Sequence, residues 1–214
     1  LVYYSKQSRL SFNAIEMSFN HRDIEFLYEV GSLRHLPRDW RQQVGLNVAN
    51  DLEHTIRVIW LSLLLARREG FKDEEKIIKM ALIHDIAETR TGDFNYMQKV
   101  YVQADEAKAA HHLFAGTSLV DFDTKILSEY TKRRSLAAKI VKDADNLDVD
   151  FELREMANQG SLMLDKWRKT RQLVRDKKLY TKSAKLLWDE LDQVDVADWH
   201  MTANKWFKIP TAGK

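Results

Sequence analysis

The chain contains no cysteine. Disulfides and thiolate metal sites are therefore excluded, and any bound metal must be held by His, Asp or Glu. The absence also fits a reducing compartment. Prolines number two and glycines seven in 214 residues, so little interrupts long helices. Long apolar runs are missing: the longest, Val58 to Ala66, is broken by Ser62 and falls well short of the roughly 20 residues of a membrane span. No basic segment followed by an apolar core opens the chain, so a cytoplasmic protein is expected and a secreted or membrane-bound one is not. An excess of one charge is lacking as well. Lys plus Arg total 34 against 32 Asp plus Glu, a balance without the electrostatic footprint of a nucleic-acid binder.

What is present is helical spacing. A chain of this length suits one domain, in which roughly 70% of the unfolded surface can be buried. Residues 1–20 read as a polar arm with Tyr3, Tyr4 and Phe12. Asp23 to His35 repeats apolar residues at helical spacing, and Leu36-Pro37 ends it. Asn50 or Asp51 can cap a strongly apolar helix running to about Arg68, with Glu53 near its start. Asp73 can cap the next, which is expected to continue to Gly92. Phe94 to Gln103 reads as a loop or lid, and Asp105 to Phe114 and Asp123 to Thr131 as helices. His111 and His112 are adjacent, cannot share a helical face, and read as packing or surface residues. Ser135 can cap a long helix, and Ser161 to Phe207 supplies about three more, whose Trp167, Trp188, Trp199 and Trp206 read as core packing. No stretch alternates as a strand does. The expectation is an all-α single domain over residues 1–214, with an arm at 1–20, a core at 24–150 and a C-terminal helical extension at 151–214.

Chemistry concentrates between Ala81 and Asp93. An apolar approach runs into His84-Asp85, Glu88 follows on nearly the same helical face, and Asp93 lies beyond. Buried carboxylates are rare without a partner. A divalent cation is one such partner, although a helix end with a capped histidine and solvated acids would carry the same dipeptide. His54 brings a second imidazole into an apolar helix. On the long helix, Leu136, Ile140, Val141, Ala144 and Leu147 form a stripe. Asp145 borders it and is the acid expected to look inward, with Asp143 and Asp148 elsewhere around the wheel; periodicity alone leaves that choice open. His54, His84, Asp85 and Asp145 thus form a candidate ligand set for Mn²⁺, Fe²⁺, Co²⁺, Ni²⁺ or Zn²⁺. With positions left for water, such an ion can lower the water's pKa.

The order His54, His84-Asp85, Asp145 resembles the HD-domain metal-dependent phosphohydrolases. The finer resemblance is to the branch of 5′-deoxynucleotidases. That branch carries a motif like His-Asp-x-x-Glu-x-x-x-Gly-Asp, matched by His84 to Asp93. It also has an upstream Arg and Trp like Arg38 and Trp40, a lysine like Lys99, and a pair like Glu129-Tyr130. The resemblance covers roughly residues 24–150. It implies a homodimer that hydrolyses deoxynucleoside 5′-monophosphates. Glu88 and Asp93 would serve in catalysis and proton transfer, Arg38 and Lys99 would meet the phosphate, and Trp40 would pack on the sugar. Three departures fall on the substrate side. Asp39 separates Arg38 from Trp40, Phe94-Asn95-Tyr96-Met97-Gln98 replaces a proline-containing loop, and both termini lie outside the match. A dNTP triphosphohydrolase or another phosphoester hydrolase on the same centre, and a nucleotide-binding regulatory protein, are the other readings.

Overall fold

A computed structural model describes residues 19–201 except Leu46. The readings placed on Tyr3, Tyr4, Phe12, Trp206 and Phe207 lie outside the described residues. In order, the elements are α1 (His21–Gly31), a 3₁₀ turn (Ser32–His35), α2 (Arg41–Val44), α3 (Asp51–Arg68), α4 (Glu74–Ile83), α5 (Glu88–Thr91), α6 (Gln98–Tyr101) and α7 (Glu106–Phe114). A π-helical segment (Phe122–Leu127), α8 (Ser128–Lys132), α9 (Leu136–Asn158), α10 (Met163–Lys177), α11 (Lys182–Glu190), a 3₁₀ turn (Leu191–Gln193) and α12 (Asp198–Met201) complete them. No strand occurs among the described residues, and Pro37 pairs with Asn50 in an isolated antiparallel bridge.

The helices begin where side chains can take up free backbone N–H groups. Asn50 accepts from the Leu52 and Glu53 amides while Glu53 accepts from the Asn50 amide, a full capping box on α3. Asp73, Asp105 and Ser135 cap α4, α7 and α9 in the same way, each through the amide three residues on. A cap of this kind contributes about 1 kcal/mol.

The core lies where α3, α4 and α9 meet. Val58, Leu61 and Leu65 of α3 pack with Ile77 and Met80 of α4 and Ile140, Val141 and Leu147 of α9. Full burial of each such side chain contributes about 1.5–3 kcal/mol. A second cluster joins Phe26 of α1 to Ile83, Ile86, Leu113 and Phe114, anchoring the segment after α4 from behind. A third joins Trp40 and Val48 to Leu153 and Met156, with Trp167 of α10 against it.

Three expectations are corrected. First, α4 does not run on to Gly92: it stops at Ile83, a turn carries His84 to Ala87, and α5 restarts at Glu88. The His84 ring bonds back to the Ala81 carbonyl, and Ile83 and Ile86 both stay in the second cluster. Second, Asp143 and Asp148 do not point away from the core: both are buried, as are Asp150 and Glu152. Helices α3, α4, α8, α10 and α11 all pack on α9, so most of its circumference along this stretch is covered. Each acid has its own partner. Asp143 accepts from the Tyr180 and Thr181 amides, Asp150 from Arg171, and Glu152 from the Ala49 amide. Third, Trp167 and Trp188 pack on clusters, but Trp199, on the short α12, is 76% exposed.

Candidate metal centre

Four segments deliver the site. α3 brings His54, the turn after α4 brings His84 and Asp85, α9 brings Asp145, and the stretch before α2 brings Arg38. That last stretch is stitched to the start of α3: the Arg38 amide donates to the Ala49 carbonyl and the Asp51 amide to the Leu36 carbonyl. Gly92, at φ +84°, ends α5. This left-handed backbone suits glycine, and it lets the chain leave so that Asp93 returns toward Arg38.

His54 Nε2 lies 3.2 Å from His84 Nε2, 3.4 Å from Asp145 Oδ1 and 3.5 Å from Asp85 Oδ2. His84 Nε2 is 3.1 Å from Asp85 Oδ2. One ligand atom from each of the four residues falls within 4.8 Å of the other three, a grouping able to hold a metal ion. The other ring nitrogens fix the tautomers. His84 Nδ1 is 2.7 Å from the Ala81 carbonyl, which can only accept, so Nδ1 carries the hydrogen. His54 Nδ1 is 2.6 Å from Asp148 Oδ2 and donates likewise. Both Nε2 lone pairs therefore face one another, with two carboxylates beside them. Some cation, a proton or a metal ion, must occupy that point.

The charges agree. Burial and Arg38 oppose a positive charge on His54, yet Asp145, Asp148 and Asp85 together hold its pKa well above the usual imidazole range. Burial also opposes ionisation of Asp145, but Lys142 and His54 hold its carboxyl below the ordinary range. Lys142 Nζ sits 2.5 Å from Asp145 Oδ2, leaving Oδ1 toward His54. Burial above all, then the charges of Asp85, Asp93 and Asp51, pushes the Glu88 carboxyl up to about 11. The donor set of two imidazoles and two carboxylates, in a region with this surplus of negative charge, fits a divalent transition metal.

Two cavities flank the four residues. One, about 470 Å³, is lined by Trp40, Trp167, Phe94, Asn95 and Asn146 as well as by Lys99 and Lys142. The other, about 290 Å³, is lined by His84, Glu88, Tyr130 and Arg133. Both are bounded by Arg38, Asp93, Lys99, Lys142 and Asp145.

The residues proposed from the sequence for metal, catalysis and substrate all lie at or around this centre. Glu88 and Asp93 stand behind Arg38. Asp93 Oδ2 is 3.0 Å from Arg38 Nη1 and accepts from the Asp39 amide at 3.1 Å. Trp40 is buried, with its ring edge-on to Trp167 at 6.5 Å between centroids. Lys99 is exposed at the mouth of both cavities. Of the Glu129-Tyr130 pair, Tyr130 packs edge-on to His84 while Glu129 turns to Lys76. Sequence reasoning missed Asp148, Asp51, Lys142, Arg133 and Trp167. Asp148 left a signal, since it lies three residues past Asp145 and shares its face. Trp167 left none, because nothing in its helix pointed to a site in another part of the chain.

The sequence model of the HD domain family matches residues 30–188. The chain belongs to the HD domain family. Among HD proteins it is similar to 5′-deoxynucleotidase HDDC2 of Danio rerio, at 27% identity over 141 residues, covering 62% of this chain and 68% of that one. The Dictyostelium discoideum 5′-deoxynucleotidase HDDC2 is 24% identical over 148 residues, covering 64% and 78%. A solved structure of a Pyrococcus horikoshii protein superposes with a TM-score of 0.64 at 26% identity, covering 79% of this chain and 96% of that one. No helix among the described residues is long and apolar enough to cross a membrane.

Proposed function

We propose that this HD protein is a 5′-nucleotidase, hydrolysing deoxynucleoside 5′-monophosphates to nucleoside and phosphate at one divalent metal held by His54, His84, Asp85 and Asp145. The observation that carries the reading is the pair of imidazole Nε2 atoms 3.2 Å apart, set between two carboxylates at the junction of two cavities. The names of its relatives support the substrate class. The bound ion would be Mn²⁺, Fe²⁺, Co²⁺, Ni²⁺ or Zn²⁺, and would supply Lewis-acid chemistry that lowers the pKa of water.

The chain's own residues do the rest. Lys99 and Arg38, open to both cavities, neutralise the phosphate. The nucleoside fits the larger cavity, where Trp40 walls the sugar and Trp167 offers a face or edge to the base. A 2′-hydroxyl pressed against the Trp40 indole without a partner costs about 1–3 kcal/mol, which favours the deoxy sugar. Glu88, three residues from Asp85, would orient the attacking water, and would ionise and accept its proton once a divalent ion offsets the burial and the charges of Asp85, Asp93 and Asp51 that hold it neutral. Asp93 holds Arg38 and the Asp39 amide in place. The exposed Ile56, Trp60 and Leu64 of α3 support the homodimer expected from the resemblance.

One observation favours a second reading. Lys142 and Arg133 add cations around the smaller cavity, and a triphosphate carries more charge than Arg38 and Lys99 alone would meet. Lys142 is engaged by Asp145 and Arg133 lies over the Tyr130 ring; the relatives named 5′-deoxynucleotidase favour the monophosphate. A phosphate-release screen over nucleoside mono-, di- and triphosphates with added metal separates the two.

A further inference from the structure

Helix α10 is polar, yet its Arg171 is buried, with a side chain 9% exposed. Two of the guanidinium nitrogens are taken. Nε donates to Asp150 Oδ1 at 2.9 Å, and Nη2 donates to Asp150 Oδ2 at 2.7 Å and to the Asn146 carbonyl at 2.6 Å. Nη1 makes no hydrogen bond among the described residues, and it is not one of the side-chain polar atoms closed off from solvent. Arg171 lines the larger cavity together with Trp167, which lies one turn earlier on the same face of α10. Neither of the two borders the smaller cavity, whereas Arg38, Lys99 and Asp145 border both. Trp167 and Arg171 therefore belong to the part of the larger cavity away from the metal and the phosphate.

We propose that Arg171 reads the base of the nucleotide. Its Nη1 donates to a carbonyl oxygen at the purine 6 position or the pyrimidine 4 position, so the protein favours such oxo bases over adenine and cytosine. The inference rests on the nucleotidase reading above and adds a base preference to it. A phosphate at the metal and a sugar against Trp40 leave the base pointing along the larger cavity, with Trp167 beside its ring. The edge that then leads is the one opposite the glycosidic bond, and that edge carries these substituents. The donor that meets it is held in place. Pairing with both oxygens of Asp150 fixes the plane of the guanidinium. Asp150 also matches its charge, so Nη1 offers a directed hydrogen bond with little net pull on an anion. A neutral carbonyl suits such a donor, as in the contact of arginine with guanine O6. An amino group at the same place would set donor against donor. A site built to donate rejects a base that offers no acceptor there, because its own polar group is then left unpaired.

The test compares dIMP with dAMP, which differ chiefly in the group at C6, by steady-state kinetics on the Mn²⁺-loaded protein. The wild-type chain should give a kcat/KM at least about 5-fold higher for dIMP, the low end for one base contact, with the difference in KM rather than in kcat. Arg171→Lys keeps a cation for Asp150 but loses the fixed fork, and it should bring the ratio to about one by raising KM for dIMP. The double variant Arg171→Met with Asp150→Leu removes the buried pair whole, which leaves no orphaned charge, and should do the same. Parity or a preference for dAMP in the wild-type chain overturns the proposal, as does a wild-type ratio kept in either folded variant. If neither variant folds, the wild-type chain is given the deoxynucleotide of unsubstituted purine, which has hydrogen at C6. A preference for dIMP over it supports the proposal, and parity overturns it. Hydrolysis of dIMP and dAMP without preference leaves the nucleotidase reading standing and overturns this inference alone. No hydrolysis of any deoxynucleoside monophosphate overturns both.

Discussion

His54 and His84 meet through Nε2 atoms 3.2 Å apart, and each ring is locked from behind, His54 by Asp148 and His84 by the Ala81 carbonyl. Two hydrogen bonds made outside the centre thus decide which nitrogens look into it. Asp148 is not in the ligand group, yet it fixes the tautomer of one of its members.

Asp148→Ala is therefore expected to weaken metal binding, since partners that orient a ligating histidine are typically worth about 10–100-fold in metal affinity. Turnover per bound ion should fall far less. Competition titration with a chelating indicator measures the affinity. An unchanged dissociation constant would show that His54 needs no support from α9.

Glu88→Ala should leave metal content nearly unchanged and lower kcat by about 10²–10⁴-fold, the usual contribution of a general acid–base group. Its carboxylate is placed one turn from Asp85 rather than among the four ligand atoms. Loss of the ion with unchanged turnover per remaining ion would make Glu88 a structural support for the centre.

Trp167→Ala should raise KM for deoxynucleoside monophosphates and leave that for p-nitrophenyl phosphate nearly unchanged. Stacking of a base on an aromatic side chain is worth about 1–3 kcal/mol, or roughly 5- to 150-fold. Steady-state kinetics on both substrates decides it. Equal losses on both would mean that Trp167 only braces Trp40, whose ring it meets at 79°.

Asn50→Ala removes the acceptor for two α3 amides and should destabilise the fold by about 0.5–2 kcal/mol. Urea unfolding of the metal-free chain gives the figure. No shift in midpoint would mean that the isolated bridge to Pro37 holds the start of α3 without the cap.

Much of this was legible before the fold. Asp73 and Ser135, and Asn50 or Asp51, announce their helices because capping is local chemistry, written within three residues. The four proposed ligands were legible through their order and residue types. The acids of α9 were not. An apolar stripe marks the buried side of a helix only when the other side meets water. Five helices pack on α9, so Asp143, Asp148, Asp150 and Glu152 are buried by partners distant in sequence. The break after Ile83 was hidden for a related reason. The apolar rhythm continues through Ile86, and what ends α4 is a side-chain bond and a packing cluster that the rhythm does not encode. Trp167 reaches the larger cavity only because α10 folds back on α9.

The central claim is tested most directly by product analysis on metal-stripped and Mn²⁺-reloaded protein, given dAMP or dATP in parallel. The account predicts nucleoside and orthophosphate from dAMP, formed only by the reloaded protein, with little reaction on dATP. Tripolyphosphate released from dATP with little phosphate from dAMP, or equal phosphate release without the metal, would contradict it.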